Sequence, residues 1–108
     1  MTNLQRLQLE TKGITLSQQE LSVYLMEADL TPHSEYHADD KRGIYIAALS
    51  ILESIANQPA TMKDYKSDDL TVSEFADNIQ ARIDQLDRKI RQMKSDNEDS
   101  SFFMLFNG

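Results

Sequence analysis

The stretch from Thr71 to Met93, TVSEFADNIQARIDQLDRKIRQM, constrains the fold more than any other part of the chain. Its apolar residues are Val72, Phe75, Ala76, Ile79, Ile83, Leu86, Ile90 and Met93. From Ile79 onward they recur at steps of four, three, four and three, which draws one stripe along a helix. Thr71 can cap the start, because Glu74 lies three residues later and can reach back to the first amide. Acidic residues favour the first turns, and Arg88, Lys89, Arg91 and Lys94 favour the end, as the helix dipole prefers. A helix with one apolar stripe cannot bury it alone, so it needs partners from this chain or from copies of it. The stripe spans barely two heptads beyond the first turn, so packing within a bundle explains it better than a coiled-coil seam.

The remaining chain supplies such partners. Thr2 to Thr11 reads as a short amphipathic helix with Leu4, Leu7 and Leu9 as its apolar side and Gly13 as its stop. Ser17 opens a second helix, with Glu20 completing a second capping pattern and Leu21, Tyr24, Leu25 and Ala28 on one face. Pro32 is expected to end it, leaving Thr31 to Tyr36 as a connection. A third helix begins at Asp39 or Asp40 and runs to about Asn57. Its apolar surface is the broadest in the chain, which predicts a central position with neighbours on more than one side. Gln58 to Leu70 has no clean period, and Met62, Tyr65 and Leu70 stand among polar residues. It is long for a connection between bundle helices. Long loops of this kind are often functional or disordered, and a strand or hairpin touching another subunit is one form open to it.

After Lys94 the sequence SDNEDSS reads as a flexible acidic linker, followed by Phe102, Phe103, Met104, Leu105 and Phe106. Three of the four Phe residues lie in this tail. It either folds back onto its own domain or ends unstructured, or it anchors as an extended peptide in pockets of a partner; left free it would be an aggregation hazard, which favours the anchor. The chain thus divides into a helical domain over residues 1–94 and an acidic linker with an apolar tail over residues 95–108.

The fold class expected is all-α: a small bundle of three main helices, a short N-terminal helix, a long loop before the last helix and an extended C-terminal tail. With 108 residues there is room for one domain. The formal charge of −7 argues against a general duplex-DNA binder. The absence of Cys excludes a disulfide framework and a thiolate zinc site. The first residues carry no apolar signal core, and no run is long and apolar enough to span a bilayer. A soluble, intracellularly made domain without a membrane partner is therefore expected.

A catalytic constellation is not visible. His33 and His37 are four apart, with Glu35, Asp39 and Asp40 nearby, but Pro32 makes the segment a loop and a solvated turn is the plainer reading. The three Gly are widely spaced, so there is no phosphate-cradling loop. Arg82, Arg88, Lys89, Arg91 and Lys94 make the last helix locally basic, yet Asp84 and Asp87 interleave to pair with Arg88 and Arg91. No enzyme activity, cofactor or metal is expected, and no small-molecule substrate.

The opening TNLQRLQLE, the helix LSQQELSVYLMEADL, the Ala-rich IYIAALSILESIAN and the terminal RIDQLDRKIRQM, in this order, resemble small head–tail connector (adaptor) proteins of long-tailed phages and prophages. The resemblance covers roughly residues 2–94 and rests on helix order and segment character. It implies an all-helical virion protein at the head–tail junction, made in the host cytoplasm. Such a protein forms a homo-oligomeric ring beneath the portal on assembly, can be a monomer when alone, and presents a platform to the next neck or tail component. DNA is then only passing channel content. The resemblance also implies that the C-terminal segment, here Phe102–Phe106, reaches the portal or a neighbour. Likewise it places the loop 59–69, with Met62 and Tyr65, between neighbouring subunits. Two other classes compete: a small helical regulatory protein that binds a partner through its tail, and a DNA-binding helical repressor, which the net charge disfavours.

Overall fold

A computed structural model describes the backbone of residues 1–107 and the side chains of residues 1–93. Four α-helices follow one another: α1 (Asn3–Glu10), α2 (Gln18–Glu27), α3 (Lys41–Ala56) and α4 (Val72–Asn107), with short 3-10 turns at Ala38–Asp40 and Pro59–Asp64. The all-α class expected from the sequence is the class observed. Among the described residues the only extended pairing is a single bridge between Thr2 and Glu35.

Local chemistry sets the helix starts. Ser17 accepts the amide of Glu20 at 3.1 Å, and Glu20 returns a carboxylate to the Ser17 amide at 3.3 Å. Thr71 accepts the Glu74 amide at 3.1 Å and donates its hydroxyl to the Glu74 carboxylate at 3.1 Å. The Glu74 carboxylate thus holds the Thr71 hydroxyl and not the Thr71 amide expected from the spacing, whereas Thr2 and Gln5 form a full capping box like that of Ser17 and Glu20. Each such cap is worth on the order of 1 kcal/mol, because it satisfies a donor that the helix itself cannot. α1 has further help. The amides of Asn3 and Leu4 donate to the carbonyls of Ser34 and Pro32 at 3.0 and 2.9 Å, and Tyr36 donates to the Met1 carbonyl at 2.8 Å. Thr31 to Tyr36 is therefore stitched to the first turn of α1 and is not a free connection.

The end of α2 differs from expectation, and that of α1 follows it. α2 stops at Glu27, five residues before Pro32, because Asp29 adopts φ 64°. The Leu30 amide then reaches the Leu25 carbonyl at 2.9 Å and the Asp29 amide reaches that of Met26 at 3.0 Å, the two bonds of a Schellman cap. α1 ends at Glu10, with the Thr11 hydroxyl bonded to the Leu7 carbonyl at 3.0 Å; Gly13, at φ +86°, then turns the chain.

α3 is central, as its wide apolar surface predicts. Ile44, Ala48, Ile51 and Leu52 are almost fully buried, and α1 and α2 pack on one side while α4 packs on the other. Gly43 fits where Leu30 passes: a Cβ there would lie 3.0 Å from the Leu30 Cδ1. The α4 stripe lies on α3, with Phe75, Ile79 and Leu86 buried and Ile83, Ile90 and Met93 partly so. It is therefore core of its own chain. Where the sequence suggests a linker and an extended tail, the backbone of α4 continues to Asn107. No Gly or Pro breaks the run from Val72 to Asn107, so nothing forces a stop. The side chains of Phe102, Phe103, Met104, Leu105 and Phe106 lie outside the described residues.

Candidate assembly surface

The loop between α3 and α4 is where the sequence places contacts with a neighbour, and the structure corrects that for Met62. Pro59 starts a 3-10 turn that carries Met62 into the core between α3 and α4, where it is 5% exposed. A side chain occupied in this way has no surface to offer another subunit. Tyr65 is half-buried against the same core. Its carbonyl accepts the Thr15 amide at 2.9 Å, and its hydroxyl donates to Glu20 at 3.4 Å. The negative charge of Glu20 pushes the Tyr65 phenol above its ordinary value. The loop is thus a clamp on the α1–α2 connection, and no strand or hairpin forms there.

The His33–Asp40 segment does not converge either. Glu35 is taken by the Met1 ammonium at 2.9 Å, which holds its carboxyl below the usual range. The Asp40 carboxylate accepts the His37 amide at 3.3 Å. Among the described residues no group of three or more His, Cys, Asp or Glu is placed to hold a metal ion. No helix among them is long and apolar enough to cross a membrane.

The basic residues of α4 are engaged locally. Arg91 pairs with Asp87 at 3.0 Å, as the spacing predicts. Arg88 instead donates to the Asp84 carbonyl at 3.4 Å, while the Asp84 carboxylate accepts from Gln80 at 3.1 Å. Lys89 and Lys41 lie 5.4 and 5.7 Å from the ring of buried Tyr45. Arg82 leaves the solvated face expected for it and turns to Glu10 of α1, also donating to Gln85. Glu10 meets Arg6 at 2.8 Å as well, and Arg6 covers the Tyr36 ring at 5.4 Å. Tyr36, Arg6, Glu10 and Arg82 form a line that joins the α2–α3 connection, α1 and α4.

Beside that line lies a cleft of about 250 Å³. Its floor is apolar, from Ile14, Leu52, Leu70, Phe75 and Ile79, and its rim carries Lys12, Asn78 and the Glu10–Arg82 pair. This cleft combines an apolar floor with charged groups of both signs at its edge, and no local sequence pattern announces it. Glu10 and Arg82 are seventy-two positions apart, and no local pattern links them. The Arg6–Glu10 spacing of four was the one available signal. Elsewhere Val23 and Met26, three apart on α2, are exposed side by side.

No curated protein and no solved structure matches the chain. A family model does, over residues 1–100, and on that match the chain belongs to a family of unknown function, DUF6706.

Proposed function

We propose that this protein is a structural head–tail connector of a long-tailed phage or prophage, acting as a ring-forming adaptor between the portal and the next neck or tail component. The observation that carries the reading is the order and character of the helices over residues 2–94: a short capped helix, a second capped helix, a wide central helix and a long terminal one. α1, α2 and α4 are each positioned by a side-chain cap and by packing on the central α3, which gives a small rigid body suited to repetition around an axis. The long α4 then carries an apolar segment at residues 102–106, far in sequence from the body's core. Apolar surface of that kind is stabilised by a protein partner, either the portal or a neighbouring subunit. A net charge of −7 also suits a channel through which DNA slides without sticking.

The test is direct. The purified chain, mixed with its cognate portal assembly, should co-sediment with it and add a ring of density beneath the portal in negative-stain images. A chain that never co-sediments with the portal would refute the connector role.

A further inference from the structure

We infer that the cleft between the Gly13–Ile14 turn and the first half of α4 receives the apolar C-terminal segment, Phe102–Phe106, of a second copy of this chain. The inference rests on the assembly reading above and names the contact that would join neighbours. Size is the first argument. A dry cavity of about 150 Å³ is enough to bind benzene, so a cleft of about 250 Å³ accommodates a phenyl ring with room for its stem. Chemistry is the second. Leu52, Phe75 and Ile79 form a floor of matching polarity, and the segment is the strongest concentration of aromatic residues in the chain.

Charge is the third argument. The three carboxylates Asp96, Glu98 and Asp99 lie just before the segment, separated from it by Ser100 and Ser101, and Lys12 stands at the rim of the cleft, where Arg82 is already paired with Glu10. Lys12 has no carboxylate partner among the described residues. Reach decides which copy is the occupant. Along the backbone of α4, Phe102 is about 35 Å from Ile79 at 1.5 Å per residue. A tail so placed cannot enter its own cleft without breaking the helix that carries it. A neighbour's cleft is open to it, and the contact is head-to-tail, which closes into a ring or extends as a filament.

Two full-length variants test this. Asn78→Trp places an indole at the mouth of the cleft from an exposed helical position, where Asn and Trp have similar helix propensity. The triple change F102S/F103S/F106S removes the aromatic rings and leaves the cleft intact. Sedimentation equilibrium of the wild type should show concentration-dependent association. Each variant should weaken its dissociation constant about tenfold or more while leaving the melting temperature unchanged. An equal mixture of the two variants should restore association but stop at two chains, one giving the tail and the other the cleft. Association of Asn78→Trp as tight as the wild type would overturn the inference, as tail-to-tail pairing predicts. A wild type that stays monomeric at every concentration would overturn it too. Portal co-sedimentation is read separately: binding with unaltered Asn78→Trp association sinks only this contact, and self-association without portal binding sinks only the connector role.

Discussion

Leu86→Ala probes whether α4 is held by its apolar stripe. The side chain is fully buried where α4 meets α3. Truncation removes three carbons from a dry site, a transfer loss of roughly 2.4 kcal/mol at about 0.8 kcal/mol per methylene. A residual cavity of some 40–50 Å³ adds about 1 kcal/mol at about 24 cal/mol per Å³. The expected loss is therefore about 3–3.5 kcal/mol, a large part of the ~5–15 kcal/mol available to a domain of this size. Ile83→Ala, at a half-buried position on the same stripe, should lose roughly half as much. Val72→Ala, at 44% exposure, should lose no more than about 0.5 kcal/mol. Urea denaturation followed by circular dichroism gives all three, and a shared slope would show that the unfolded surface is comparable. If the three variants fall within about 0.5 kcal/mol of one another, the stripe does not rest on α3 and the account of α4 given above is wrong.

Further perturbations address other elements. Thr71→Ala should destabilise by about 1 kcal/mol through loss of the α4 cap, and Thr71→Ser should recover most of it in the same denaturation assay. Asp29→Gly should stabilise by roughly 0.5–1 kcal/mol because φ 64° is strained for an L residue; destabilisation instead would mean that the Asp side chain contributes to the α2 end. Glu10→Ala should destabilise by roughly 1–2 kcal/mol, with a double-mutant cycle to Arg82 showing coupling that vanishes if the two do not meet. Glu35 should titrate below its ordinary value by carbon-detected NMR, and blocking the Met1 ammonium by acetylation should return it. Because its folded value is depressed, its contribution is present above the unfolded value and is lost as the pH falls through the folded one.

What the sequence reveals and what it hides follows from range. The caps at Ser17–Glu20 and Thr71–Glu74 are legible because their partners are three residues apart. The core positions Leu21, Leu25, Ile51 and Leu86 are legible because burial repeats with the helical period. Asp29 is not, since Asp is no usual signal for a left-handed cap; the stop is completed by the Leu30 amide reaching Leu25 and by Leu30 passing over Gly43. Met62 is one apolar residue in a polar run, so no period announces that a 3-10 turn carries it inward. The cleft and the Glu10–Arg82 pair depend on where α1 and α4 come to rest, which only the assembled fold decides.

The stitching of Thr31–Tyr36 to the first turn of α1 ties two distant parts of the chain into one cooperative unit. An eight-residue helix does not persist alone in water, and the Asn3 and Leu4 amides of α1 end on carbonyls of that connection. When the connection lifts, those amides lose their acceptors and the helix loses its reason to exist. Hydrogen exchange should therefore release both segments together, as one detachable flap over a more slowly exchanging platform of α3 and the first half of α4.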